Sequence, residues 1–367
     1  MSTSEADAQA IRASLHTTRH RDPAMVRASI ERWLGAHGGG RVTGITAPGA
    51  SGASSELFML DLEDAPIASV GKRGAVLRIL GAQSVYPIVD PEQQFLCQRL
   101  IADNSHAPVP QAFGLETDPA TIGAPFILME RAAGRGAPDW PSYVAEGWLH
   151  DLPAPDRTTL WRHAVAAIVA VHDTGLSGVD QDRLRLPTPG DSDIERLVAY
   201  WQLYHAVVSR DGSYPVLDHA IAWLVANRPR MEAPSRMLWG DASLRNMLFE
   251  GLTPSALLDL EFAHIGVAAF DIAFFAMMDR VMAEGYAGLP RLSGFPDEDD
   301  TFDLYEQLSG RTVEHRAYFC RMAVTYMALA NTRVFQRLAA EGRMPTQDVG
   351  RNPPLRFLAG MFGLSIA

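Results

Sequence analysis

The sequence predicts an α+β fold in two lobes, a small one built on an antiparallel sheet and a larger, mainly helical one, and three observations predict it. Apolar and polar residues alternate at period two in the early part of the chain, helical spacing takes over from about Leu160, and the change falls around the glycine-bearing stretch Ala133-Gly134-Arg135-Gly136. A chain of 367 residues, 47% hydrophobic and 20% charged, has the apolar material for a packed interior and the length of two domains. The boundary is expected near residue 134, giving an N-terminal lobe over 1–134 and a C-terminal lobe over 135–367.

The elements follow in order. A helix is expected over Pro23 to Ala36. Arg41 to Ala47 and Glu56 to Leu62 alternate as half-buried strands do, and the small residues from Pro48 to Ser55 read as a tight loop joining them antiparallel. A turn at Gly71 to Gly74 leads into Ala75-Val76-Leu77-Arg78-Ile79-Leu80, a strand interrupted by one cation, and a helix runs from Pro91 to about Ile101. Strand pattern returns at Pro125 to Glu130. Beyond the boundary, helices are expected over Leu160 to Asp173, with Gly175 as C-cap, over Ile194 to Val208 and over Val216 to Asn227. Met237-Leu238-Trp239 and Ala256-Leu257-Leu258 read as short strands flanking a loop, and helical patterns resume from Phe270 to Ala367.

Composition excludes several roles. The net charge of -11 argues against a nucleic-acid binder, which needs a basic face to displace counterions. Met1 to Arg21 has no apolar core of a leader and no stretch reaches the length that crosses a bilayer, so a cytoplasmic chain with no membrane partner is expected. Cys97 and Cys320 are far apart, without metal-ligand spacing, and read as reduced, mostly buried thiols.

The chemistry lies in Trp239-Gly240-Asp241-Ala242-Ser243-Leu244-Arg245-Asn246. An Asp followed five places later by an Asn arises by chance about once in a chain of this length, and alone Asp241 reads as a helix N-cap. The surroundings change that reading. Asp259 ends the apolar run Ala256-Leu257-Leu258, and Glu261 follows on the same side if the strand continues. Phosphoryl transfer needs a carboxylate at the attacking hydroxyl and hard oxygen ligands that hold Mg²⁺ against the phosphates, and Asp241, Asn246 and Asp259 supply these groups. Upstream, the loop Gly49 to Ser55 could lay backbone N–H groups over the phosphates, Arg78 could offer them a cation, and Glu92 could hold that cation.

These pieces, in this order, resemble the aminoglycoside-phosphotransferase or phosphotransferase enzyme family, a branch of the protein-kinase-like fold, over roughly residues 40 to 335. The matching elements are Gly52-Ala53-Ser54-Ser55-Glu56, Val76-Leu77-Arg78, Leu128-Met129-Glu130-Arg131, Val171-His172, Gly240-Asp241 to Asn246, Leu258-Asp259-Leu260-Glu261 and Asp271-Ile272-Ala273. The resemblance implies that Gly52, Ala53 and Ser54 form the nucleotide loop and that the backbone around Met129, Glu130 and Arg131, the connector between lobes, meets the adenine. It implies further that Asp241 orients or deprotonates the acceptor hydroxyl while Asn246 and Asp259 bind magnesium, with ATP or GTP as co-substrate. Two departures stand out: Trp239 where the family commonly has His, and Arg78 where protein kinases use Lys. Arg is permanently charged and binds phosphate bidentately, so phosphate binding survives the second change. The match is similar to the branch associated with acyl-CoA dehydrogenases, which implies a hydroxyacyl or other metabolic acceptor over an antibiotic.

Other readings compete at individual residues. His172, at a helix end, reads as a structural hydrogen-bonder, and Glu261 either binds metal through water or supports the loop. The run Asp297-Glu298-Asp299-Asp300 invites a grip on a cationic substrate, but acids are also what a first helical turn prefers. Phe270 to Met282 reads as helix core. For the whole chain the alternatives are an aminoglycoside or macrolide phosphotransferase, and a catalytically silent nucleotide-binding protein on the same fold. A hydrolase using Asp241 is distant, since no strand-turn-helix nucleophile motif is present. No motif selects ATP over GTP, the acceptor or an oligomeric state.

Overall fold

The computed structural model describes residues 21–48, 55–68, 74–81, 84–138, 142–231 and 233–366. The expected loop residues Gly52, Ala53 and Ser54 lie outside them. The chain divides into two compact units: one runs to Arg99 and resumes over Pro110–Ala132, and the other takes Leu100–Val109 and everything from Ala133 onward.

The first unit begins with α1 (Pro23–Ala36), which starts where Asp22 accepts the Ala24 N–H and Pro23 occupies the first helical position. Its sheet contains β1 (Arg41–Thr46), β2 (Ser55–Glu63), β3 (Ala75–Leu80), β4 (Ala112–Glu116) and β5 (Phe126–Glu130). The spatial order is β1-β2-β3-β5-β4, with every neighbouring pair antiparallel. Trp33 of α1 buries against Phe126 and joins Phe58, Leu60, Leu77 and Leu128 in one apolar cluster. A β-carbon at Gly114 would sit 2.4 Å from the Trp33 ring, so the close approach of helix to edge strand requires glycine there. That glycine, with prolines before it at 108 and 110, interrupts the alternation that would have marked β4. Helix α2 (Pro91–Asn104) follows β3.

The second unit holds helices α3 (Ala154–His172), α4 (Asp193–Val208), α5 (Pro215–Ala226), α6 (Ala268–Arg280), α7 (Glu298–Ser309), α8 (Arg316–Ala340) and α9 (Pro353–Met361). Every residue of α6 from Ala269 to Asp279 is buried, as expected of a helix that is apolar nearly all round. It packs against α8, which also packs against α9. Two small sheets lie among the helices: β6 (Arg135–Gly136) with β8 (Met247–Glu250) and β9 (Thr253–Leu257), and the ribbon of β7 (Arg236–Leu238) with β10 (His264–Gly266).

The expected strands around 237–239 and 256–258 therefore exist but pair with β10 and β8 respectively, not with each other. Gly175 is not the cap of α3; the helix ends at His172 with Asp173 as C-cap, and the Gly175 N–H bonds to the Asn104 carbonyl. The acidic run serves its own helix. Asp297 caps α7 by accepting the Asp300 N–H, Glu298 pairs with Arg280 at 2.8 Å, and Asp299 and Asp303 face Arg316 at 3.8 and 2.8 Å. Neither Cys97 nor Cys320 is in a disulfide, and burial, reinforced by Glu298 and Asp299, pushes the Cys320 thiol up to about 12, where it is unreactive. Among the described residues no helix is long and apolar enough to cross a membrane.

Candidate active site

The β7–β10 ribbon delivers the chain into Trp239-Gly240-Asp241. Gly240 has φ +86°, and a β-carbon there would lie 2.1 Å from the Phe262 carbonyl oxygen, so only glycine permits the turn into Asp241. The turn is clamped from below. Asp271, in the first turn of α6 and fully buried, accepts the Trp239 N–H at 2.6 Å and the Gly240 N–H at 2.8 Å, one on each carboxylate oxygen. His172, also fully buried, places Nε2 3.2 Å from Asp271 Oδ2 and Nδ1 2.8 Å from the Tyr305 hydroxyl. A carboxylate only accepts, so Nε2 carries the proton and Tyr305 donates to Nδ1. Burial holds the Tyr305 hydroxyl above its ordinary range, against Arg311, which donates to it. His172 is thus the hydrogen-bonder that its helix-end position predicts. The extent of this relay was not readable from sequence, although a lone carboxylate in the apolar run Phe270 to Met278 marks Asp271.

After Asp241 the chain makes a single 3₁₀ turn over Leu244–Asn246 and enters β8. The Asn246 side-chain nitrogen donates to both the Asp241 carbonyl oxygen and its Oδ2, each at 3.0 Å. Asn246 and Asp259 stand on the two legs of one hairpin, because Met247 is registered with Leu257 and the Leu258 N–H bonds to the Asn246 carbonyl at 2.8 Å. The Leu258 carbonyl in turn accepts the Trp239 indole N–H at 2.8 Å. The departure to Trp239 therefore has a use: its fully buried ring ties the Asp241 loop to the residue before Asp259.

The strand does not continue through Asp259 to Glu261. Asp259 has φ 58° and ψ 58°, and Leu260–Phe262 forms a 3₁₀ turn, so Glu261 does not share a strand face with Asp259. A left-handed conformation is unusual for aspartate and costs about 1 kcal/mol or more, a strain that recurs where a side chain must be aimed. Glu261 lies close enough to the buried Tyr204 hydroxyl to raise it, after burial and Tyr200. The donor set suits magnesium. Asn246 and Asp259 offer only oxygen once the Asn246 nitrogen is turned onto Asp241, which leaves Asn246 Oδ1 as the end that could meet a metal. No cluster of three His, Cys, Asp or Glu side chains occurs among the described residues, and magnesium needs none, since it takes few protein ligands and completes its shell with water and phosphate.

In the first unit Arg78 stands on the central strand β3, only 7% exposed, with Nε donating to Ser55 Oγ at 3.0 Å. Glu92 is exposed in the first turn of α2. At the end of β5 the Glu130 and Arg131 N–H groups are engaged by the Gln111 and Gly74 carbonyls, and the Arg131 guanidinium reaches Asp61 at 2.8 Å. The Met129 thioether accepts from Gln98 at 3.6 Å. Replacing Arg78 with methionine is expected to raise the nucleotide concentration needed for half-saturation about tenfold or lower turnover, and lysine is expected to restore part of it as a point charge without the planar fork. Steady-state kinetics unchanged in both parameters would leave Arg78 a structural residue.

A five-stranded antiparallel sheet followed by a helical unit that carries an Asp–Asn loop and a second carboxylate on a hairpin defines a kinase-like phosphotransferase fold. The chain belongs to the phosphotransferase enzyme family, whose model matches residues 67–300. Among solved structures it is similar to a Ralstonia eutropha protein of the aminoglycoside phosphotransferase type, with a TM-score of 0.66 and 21% identity over 91% of this chain and 96% of that one. A macrolide 2′-phosphotransferase of type I matches with a TM-score of 0.56 and 17% identity over 96% and 99% of the two chains. Aminoglycoside phosphotransferase APH(4)-Ia, in ternary complex with ADP and hygromycin B, matches with 0.54 and 16% over 91% and 96%. At these identities the likeness is one of fold. Mouse acyl-CoA dehydrogenase family member 10 is 28% identical over 254 residues, 66% of this chain and 22% of the relative. Human acyl-CoA dehydrogenase family member 11 is 22% identical over 210 residues, 55% and 25%. The chain spans about a quarter or less of the length of these curated relatives.

Proposed function

We propose that the protein is a cytoplasmic small-molecule kinase that transfers the γ-phosphoryl group of a magnesium nucleotide, ATP or GTP, to a hydroxyl of a metabolite, with a hydroxyacyl compound as the favoured acceptor. The observation that carries this reading is the Asp241–Asn246 contact at 3.0 Å, on a loop clamped by Asp271 and tied through Trp239 to the strained Asp259. A silent nucleotide binder would have no use for a carboxylate held this way.

In this reading Asp241 accepts a hydrogen bond from the acceptor hydroxyl, aligns its oxygen with the γ-phosphorus and takes the proton as the new P–O bond forms and the bond to the leaving β-phosphate oxygen breaks. Asn246, while donating to Asp241, keeps that carboxylate in one rotamer, and its Oδ1 with Asp259 would hold the metal. Magnesium, when bound, neutralises charge on the β and γ phosphates. Gly52, Ala53, Ser54, Arg78 and Glu92 would serve the phosphates, and the backbone around Met129, Glu130 and Arg131 would meet the adenine.

The names of the antibiotic phosphotransferases among the neighbours suggest a cationic acceptor, but of the acids at 297–300 Asp297 caps its own helix and Glu298 pairs with Arg280. A screen of γ-phosphate transfer to hydroxyacyl thioesters, amino alcohols, macrolides and aminoglycosides tests the proposal; transfer to none, with nucleotide bound, overturns it. Asp259→Ala is expected to weaken the magnesium dependence of nucleotide binding about tenfold or more, since one hard ligand is lost. A magnesium titration like that of the wild type would remove Asp259 from the metal site.

A further inference from the structure

Asp271 holds the turn into Asp241 with two oxygens, and three donors share them. Oδ1 takes the Gly240 N–H at 2.8 Å, whereas Oδ2 takes the Trp239 N–H at 2.6 Å and lies 3.2 Å from His172 Nε2. The setting of Oδ2 therefore depends on which way the imidazole faces. His172 is the last residue of α3 and is fully buried, so solvent does not orient its ring. The far edge of that ring faces Tyr305 of α7. Tyr305, 1% exposed, brings its hydroxyl to 2.8 Å from Nδ1, with the two rings edge to face at 71° and 5.5 Å between centroids. Just beyond α7, Arg311 pairs with Asp173, the residue after His172, so the ends of the two helices are tied where the rings meet.

A buried nitrogen lone pair left without a donor costs about 1–3 kcal/mol, enough to decide between two orientations of one ring. The Tyr305 hydroxyl supplies that donor only when Nδ1 faces α7, and in that orientation Nε2–H points at Asp271. Turned over about χ2, the imidazole would set a carbon edge against Oδ2 and leave the carboxylate one donor short. We infer that Tyr305 is a positioning residue for phosphoryl transfer: its hydroxyl fixes the His172 ring, the ring fixes Asp271 Oδ2, and the carboxylate fixes the backbone that aims Asp241. The inference rests on the kinase reading above and extends the machinery of that site to α7.

The test is a double-mutant cycle of Tyr305→Phe with His172→Gln, read by kcat, by both KM values and by amide hydrogen exchange at Trp239 and Gly240. Phenylalanine keeps the ring and removes the hydroxyl. Glutamine offers Asp271 a side-chain N–H that needs no partner at Nδ1. Tyr305→Phe alone is expected to lower kcat about tenfold, to leave the KM for nucleotide and acceptor within about twofold, and to speed exchange of the two amides about tenfold. In the His172→Gln background the same change is expected to alter kcat and exchange by less than about twofold. Wild-type kcat and exchange in Tyr305→Phe, or an equal fall in both backgrounds, overturns the inference. If Tyr305→Phe does not fold, nitrogen-15 NMR of His172 in the wild-type chain decides: a proton on Nε2 with Nδ1 bare supports the inference, and a proton on Nδ1 overturns it. Hydrogen exchange requires no turnover. Faster exchange at 239–240 in Tyr305→Phe, with no phosphoryl transfer by the wild type, would sink the kinase reading and keep the hold of Tyr305 on the loop, whereas transfer that Tyr305→Phe leaves intact would do the reverse.

Discussion

Asp241→Asn is expected to lower turnover by about a hundredfold or more while leaving nucleotide affinity within about twofold. Asparagine keeps the shape of the side chain, and the Asn246 nitrogen can still meet its oxygen, so the loop has no reason to move. What is lost is the negative charge that, in the role proposed for Asp241, accepts the hydroxyl proton as the acceptor oxygen bonds to phosphorus. The nucleotide is affected little because the groups proposed to hold its phosphates and metal are other residues. Turnover with the best acceptor and calorimetric nucleotide binding, on the same preparations, check both halves. Wild-type turnover in the variant would take Asp241 out of the mechanism.

Asp271→Ala is expected to damage fold and chemistry together. The carboxylate is fully buried and receives the Trp239 and Gly240 N–H groups and His172 Nε2. Removing it leaves three buried donors without their acceptor, at about 1–3 kcal/mol each before relaxation, and a net loss of about 3–5 kcal/mol is expected. Asp271→Asn should fall between, since one oxygen is retained while the new amide N–H₂ faces a donor. Thermal melting measures the first effect. Turnover of the protein that remains folded at low temperature measures the second, because a loop released at residues 239–240 no longer aims Asp241. An unchanged melting temperature with unchanged turnover would show that the clamp contributes nothing.

Much of this architecture was legible in the sequence, for physical reasons that differ by element. The first helix and the strand Ala75–Leu80 match their expected limits because Pro23 and a short apolar run broken only by Arg78 are local signals. The fold class and the family followed from short motifs in a fixed order, of which Gly240-Asp241 to Asn246 is the most informative. Strands β8 and β10 were missed: four and three residues are too few for a period to register, and their partners come from elsewhere in the chain. The left-handed Asp259 was invisible for a related reason, since nothing in Leu258-Asp259-Leu260-Glu261 marks a break in the strand. Trp239 read as a departure, yet its indole bond to the Leu258 carbonyl depends on a partner nineteen residues away. Tyr305 could not be connected to His172 from sequence, because the two meet only through the packing of α7 beside α3.

Phosphorus NMR of a complete reaction shows whether this constellation moves a phosphoryl group onto a hydroxyl. With magnesium, nucleotide and an accepted hydroxyl compound, a new phosphate-monoester resonance is expected to grow in equal amount with the nucleoside diphosphate. The signal should be absent without magnesium and reduced about a hundredfold or more in Asp241→Asn. Nucleoside diphosphate accompanied only by inorganic phosphate, or a bound nucleotide that stays intact with every acceptor offered, would contradict transfer to a hydroxyl.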